Sequence, residues 1–172
     1  MERDTIIEFL RAKLESLNYI YAMWLEGADA TGTLDLYSDL DIYIDVEDEN
    51  EFDAIEAVES ALNELGEVDY RYVMDHGHPK LRQRIYHLKG TSEYLMIDFC
   101  WQLHSRDREE YVYIYGSNVE AAKVIFDKDN IIRHKEFDPI DYQKYNQDRI
   151  KECKYRYTQH SRVMKYVNRA IS

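Results

Sequence analysis

The chain holds little that would interrupt regular structure: its 172 residues include six glycines and two prolines, and no stretch is repetitive or linker-like. Helices and strands are therefore expected nearly end to end, in one domain large enough for a real core. The two cysteines, Cys100 and Cys153, stand far apart and at no metal-type spacing to each other or to a histidine. That speaks against a disulfide framework and a cysteine metal site, and buried free thiols are expected. No apolar run approaches the roughly 20 residues that span a bilayer, and Met1-Glu2-Arg3-Asp4 lacks the basic and apolar regions of a signal peptide. These absences predict a cytoplasmic protein without a membrane segment.

Positive charge is scarce as well: 22 Lys and Arg face 34 Asp and Glu, a net of −12. The deficit is uneven. Residues 139–172 hold eight Lys and Arg against Asp141, Asp148 and Glu152, a net of +5, which leaves −17 on the first 138 residues. A body that acidic repels a phosphate backbone, so long nucleic acid is not the expected partner. A small cationic molecule would be attracted, although a merely soluble acidic surface accounts for the same charge.

What is present is clear periodicity. Ile6, Ile7, Leu10, Leu14 and Leu17 recur at helical spacing behind Asp4, predicting a helix over 4–17. Phe52, Ile55, Val58, Ala61, Leu62 and Leu65 predict a second over 50–65, stopped by Gly66. Strands are expected over 19–25, from about Asp39, and over 67–74, 81–88, 93–101 and 123–127, with Lys89-Gly90-Thr91-Ser92 as a hairpin turn. From Pro139 onward Tyr142, Tyr145, Ile150, Cys153, Tyr157, Met164, Val167 and Ile171 lie near one side of a long basic helix. The fold expected is α+β, a mixed sheet flanked by helices over 1–138 and a helical segment over 139–172. The late apolar stripe predicts docking on a partner chain, a second copy included, or a helical domain continuing past Ser172.

The chemistry concentrates in Ser38-Asp39-Leu40-Asp41-Ile42-Tyr43-Ile44-Asp45. Strand alternation puts Asp39 and Asp41 on one face, about 7 Å apart, with Leu40, Ile42, Ile44 and Val46 on the other. Such a strand can hold divalent metal ions, or leave both acids to solvent. Asp45 shares the face but sits roughly 13 Å from Asp41, too far to join the same ion. Asp98 is the lone charge between Tyr94 and Trp101, so it needs a cleft, a cation such as Arg82 or Arg84, or a metal. If its strand neighbours that of Asp41, the strand spacing of about 4.8 Å brings the three acids together, and Mg²⁺ would relieve their repulsion.

The order of these pieces resembles the polymerase-beta-like nucleotidyltransferase superfamily: Leu25-Glu26-Gly27-Ala28-Asp29-Ala30-Thr31-Gly32, then Ser38-Asp39-Leu40-Asp41-Ile42, then Ile97-Asp98-Phe99. Within it the chain is most similar to bacterial aminoglycoside-type nucleotidyltransferases, whose catalytic domain precedes a helical one. The resemblance spans about 19–101. It implies that Asp39, Asp41 and Asp98 hold Mg²⁺ in a two-metal site and serve catalysis, Asp98 as second-metal ligand or general base. Gly27, Ala28 and Ser38 would bind the triphosphate of ATP or another nucleoside triphosphate. Ala28 departs from the usual Ser, keeping the backbone donor and losing a hydroxyl that Ser38 or Thr31 could replace, a difference of about 1 kcal/mol.

The implied activity is transfer of a nucleoside monophosphate, AMP from ATP, to a hydroxyl of a small, cationic, aminoglycoside-like acceptor. Two other readings share the site: a non-catalytic, antitoxin-type module binding a partner protein, and a protein-modifying adenylyltransferase. Weaker signals read as structure. His76-Gly77-His78-Pro79 is expected as exposed loop, and the acid-rich 45–56 segment lacks the glycine of a calcium loop. Arg106 and Arg108 are expected on a solvated face, while Tyr111, Tyr113 and Tyr115 alternate either as a packed strand face or as a nucleobase stacking surface.

Overall fold

The computed structural model describes residues 1–171 except His76, Gly116, Asn118, Val119, Glu120 and Phe137; the side chains of Glu110, Tyr111, Asp141, Tyr142, Lys144, Tyr145 and 166–171 also lie outside the described set. His76, Tyr111 and four members of the late stripe, Tyr142, Tyr145, Val167 and Ile171, therefore fall outside it. The chain forms two compact units, Met1–Lys135 and Glu136–Ser172.

In the first unit, α1 (Arg3–Leu14) buries Ile6, Ile7, Leu10 and Leu14, the three-to-four spacing that a single apolar face requires. β1 (Ile20–Leu25) leads into a one-turn helix α2 (Gly27–Thr31), and β2 (Leu40–Val46) follows. α3 (Glu51–Leu65) buries Ala54, Ile55, Val58, Ala61 and Leu62 and ends at Gly66, whose N–H donates to Leu62 O at 3.1 Å. Then come β3 (Val68–Met74), β4 (Leu81–Leu88), β5 (Ile97–Leu103), β6 (Val112–Ile114), β7 (Lys123–Asp127) and β8 (Arg133–Lys135). The fold is mixed α+β: a six-stranded sheet in the order β3-β4-β5-β2-β1-β7, antiparallel except for the parallel β2–β5 pair, and a parallel two-stranded ribbon of β6 and β8.

One sheet face carries the core. Leu40, Ile42, Ile44 and Val46 of β2 and Ile97, Phe99 and Trp101 of β5 meet α1 and α3 there, all buried. The alternation anticipated for β2 is thus realised, with Asp41 and Tyr43 half-buried on the opposite face. That face is partly covered by the ribbon: Ala22, Trp24, Tyr113 and Ile131 form a second buried cluster with Tyr43 packed against it.

Several expectations require correction. β5 begins at Ile97 because Leu95 N and Met96 N turn back to Ser92 O and Tyr94 O, lengthening the hairpin loop. Cys100 is buried, but Cys153 is exposed. Arg106 is not on a solvated face: it is buried and paired with Asp45 at the far end of β2, where His104 Nδ1 also lies 2.6 Å from Asp45 Oδ1. A buried carboxylate needs such a cation, and sequence spacing does not reveal which one the fold supplies. Strands β6 and β8 are too short to show periodicity.

The second unit contains α4 (Pro139–Ile171), with proline at its first position and Asp138 Oδ1 accepting from Ile140 N at 2.8 Å. Glu152 pairs with Arg149 and Arg156 along it, while Ile150, Tyr157 and Met164 of the apolar stripe are exposed. Among the described residues no helix is long and apolar enough to cross a membrane.

Removing Arg106 should strand the buried Asp45 carboxylate. Arg106→Ala is expected to lower unfolding free energy in urea by about 3 kcal/mol, and the paired replacement Asp45→Asn with Arg106→Met by much less.

Candidate functional site

The open face of the sheet aligns three carboxylates in a row. In the β1–β2 ladder Leu25 lies opposite Ile42, and Glu26 N donates to Asp41 O at 3.1 Å, so Glu26 is the neighbour of Asp41 on one side. In the parallel β2–β5 ladder Asp41 lies opposite Asp98. Neighbouring strands are about 4.8 Å apart, and all three side chains leave the core-free face. The condition on which the sequence reading of Asp98 depended, adjacency of its strand to β2, is met.

Asp39 sits one residue before β2 and is exposed. Its carbonyl accepts from Arg3 Nη1 at 2.7 Å and that of Ser38 from Arg3 Nη2 at 2.5 Å. The same guanidinium meets Asp29 Oδ2 at 2.5 Å, so α1 ties α2 to the loop entering β2. Burial pushes the Asp29 carboxyl up, and Arg3 opposes that.

Gly27 carries φ +57°, and a β-carbon there would stand 2.1 Å from Asp41 Oδ2. Glycine is thus required twice, by the left-handed backbone and by the carboxylate packed against it. Of the other residues expected at the triphosphate, Ala28 lies in the first turn of α2, where N–H groups have no partner within a helix. Ser38 Oγ is engaged in its own turn, with Asp35 N at 3.0 Å and Asp35 Oδ1 at 2.9 Å. Thr31 Oγ1 donates to Gly27 O at 3.0 Å. Both hydroxyls are thus engaged in local hydrogen bonds.

The charge on the row is managed one acid at a time. Asp98 accepts from Gln83 Nε2 at 2.5 and 2.6 Å, while Arg82 and Arg84 turn to the other face and pair with Glu51 and Glu59 of α3. Neither arginine is the cation for Asp98. Glu26 accepts from Tyr113 Oη at 2.5 Å and from Trp24 Nε1 at 3.1 Å; burial still pushes its carboxyl above the ordinary range. Asp41 is raised furthest, to about 7, first by burial and then by the charges of Asp39, Asp98, Glu26 and Asp29. Cys100, behind Asp98, is held as a thiol by burial and by that carboxylate.

Among the described residues no group of three metal-ligating side chains is drawn together. The donor set is nonetheless of the right chemistry for Mg²⁺: hard oxygens, adjacent in pairs, with enough excess charge that Asp41 takes up a proton near neutrality. Sequence reasoning does not single out Glu26, Gln83 or Arg3, and it marks Tyr113 only as part of an alternating strand face or stacking surface. An acid directly before the glycine that ends an apolar run is a signal that could have marked Glu26; the others act across strands. The weaker candidates are structural. His78 Nδ1 accepts from Lys80 N at 3.1 Å in its turn, and Arg108 Nη2 reaches Asp129 Oδ2 at 3.1 Å.

Gly27→Ala should displace Asp41 and strain α2, lowering stability by about 2 kcal/mol in urea titrations. The pH response of Asp41 has a definite sign. Its folded value of about 7 exceeds its ordinary 3.8, so the folded protein binds the proton more tightly, and stability falls as pH rises from about 4 through about 7. Asp41→Asn should therefore be more stable than wild type above pH 7 by about 1–2 kcal/mol, after allowance for partial exposure, with the gap closing toward pH 4.

No protein-family model matches the chain, and a comparison with curated proteins finds no match.

Proposed function

We propose that this protein is a Mg²⁺-dependent nucleotidyltransferase of the polymerase-beta-like type, moving AMP from ATP to a hydroxyl of a small cationic acceptor. The observation that carries the reading is the row Glu26–Asp41–Asp98 across three neighbouring strands, entered through Asp39 and with Gly27 packed against the Asp41 carboxylate. This order of glycine turn, paired acids and third acid is the one that the sequence resemblance requires.

Asp39, Asp41 and Asp98 would hold Mg²⁺, which supplies charge neutralisation of the triphosphate and of the departing pyrophosphate. The chain's own residues supply the rest. Gln83 fixes the plane of the Asp98 carboxylate through both oxygens. Asp98 then takes the proton of the acceptor hydroxyl as that oxygen bonds to the α-phosphorus and the bond to pyrophosphate breaks. Glu26, held by Tyr113 and Trp24, adds negative potential without needing to touch the phosphates. The acidity of residues 1–138 favours an acceptor carrying amines.

Calorimetry with ATP should show binding that requires Mg²⁺ and is lost in Asp41→Asn, by about a hundredfold or more, given that a lost charge-assisted contact is worth roughly 3 kcal/mol. Pyrophosphate release should follow addition of aminoglycoside-type acceptors and fall in Asp98→Asn, with ATP binding less affected. Absence of Mg²⁺-dependent nucleotide binding would remove the enzyme reading and leave a partner-binding module.

A further inference from the structure

The acid row accounts for the phosphates of a nucleotide but offers nothing flat or neutral for its base. A separate cleft of about 330 Å³ opens beside α2, lined by Ala30 and Thr31 on one side and by Tyr115, Ala122 and His134 on the other. Its size falls within the range of small-molecule sites, roughly 300–1,000 Å³. In a body of net charge −17, its described lining contains no carboxylate.

Tyr115 and His134 stack across it, ring centroids 4.9 Å apart and planes 19° from parallel, and Tyr115 is 59% exposed. An aromatic pair already stacked and still open on an outer face can be extended by one more ring. Two further clefts are less suited: one is lined by Glu59 and Arg71, which pair with each other, and another by the chain start and the Ser38 and Gly90 turns.

The cleft also lies at the right remove from the row. Ala30 and Thr31 are one helical turn beyond Gly27, about 5 Å along α2. Behind the opposite wall, Tyr113 donates its hydroxyl to Glu26, and its ring centroid lies 5.9 Å from that of His134. Glu26, Tyr113, His134 and Tyr115 thus form a chain of contacts from the acids to the cleft.

We infer that the Tyr115–His134 stack beside α2 is the seat of the nucleobase, so that the triphosphate meets the acid row while the base lies on the aromatic pair. This rests on the nucleotidyltransferase reading and assigns the base-binding residues within it. Stacking is tolerant of base identity but grows with ring area, so purine nucleotides should bind more tightly than pyrimidine ones.

The test is calorimetry at saturating Mg²⁺ with two probes, ATP and inorganic tripolyphosphate, on wild type, Tyr115→Ala, Tyr115→Phe and His134→Ala. Tyr115→Ala and His134→Ala should each weaken ATP about tenfold and leave tripolyphosphate unchanged, while Tyr115→Phe keeps ATP affinity within about twofold. Unchanged ATP affinity in both alanine variants would overturn the inference and leave the enzyme reading standing. Equal losses for ATP and tripolyphosphate, or an effect confined to the KM of the acceptor, would overturn it likewise. A wild type that binds neither probe would overturn both proposals.

Discussion

Everything at the acid row depends on the parallel pairing of β2 with β5. It sets Asp41 opposite Asp98, two like charges about one strand spacing apart, in a sheet that is otherwise antiparallel. A slip of one residue would turn Asp41 toward α1 and α3 and expose Leu40, Ile42 and Ile44. The buried apolar residues of both strands forbid that slip. The core therefore imposes the electrostatic conflict, and the conflict cannot relax without unpacking the core.

Two acids on the same face of β2 meet this environment in opposite ways. Asp45 is fully buried but receives the Arg106 guanidinium and His104. Asp41, less buried, has four acids around it, Asp39, Asp98, Glu26 and Asp29, and a proton near neutrality is the counter-charge that the structure itself provides. One strand thus carries an acid neutralised by a cation of the chain and another whose charge its neighbours oppose. The distinction comes from which elements cover each end: the loop after β5 folds Arg106 over Asp45, whereas the end near Asp41 faces Gly27 and a tyrosine hydroxyl on Glu26.

Much of the frame was legible in the sequence because it is written in local periodicity. α1 and α3 bury residues at the spacings their apolar patterns predict, apart from Phe52, which is exposed at the start of α3, and β2 alternates as expected, whereas β3 is exposed along most of its length. What could not be read is what depends on partners across the sheet. Asp98 was legible as an anomaly, a lone acid in an apolar strand, but Gln83 as its donor follows only from β4 lying beside β5. Arg106 looks like an ordinary surface residue until the chain folds it over Asp45. Tyr113 and Tyr115 share one alternation, yet one packs between the ribbon and β1 and hydrogen-bonds Glu26 while the other stands open. Strand period cannot distinguish a covered face from an uncovered one when the covering element is three residues long.

Arg3 shows how far the site's geometry reaches from its chemistry. It stands at the first turn of α1, about as remote in sequence from β2 as the site allows, yet its guanidinium joins the Asp29 carboxylate to the carbonyls of Ser38 and Asp39. Asp29 is almost fully buried, so this pair is screened little by solvent and holds α2 to the helix layer. The loop carrying Asp39 is thereby anchored through its backbone while the Asp39 side chain stays exposed. A carboxylate so placed can change rotamer without moving the chain. Beside a row in which Asp41 and Asp98 are fixed by strand pairing, Asp39 has an exposed side chain on a fixed backbone, and the anchoring arginine is what confines its freedom to that side chain.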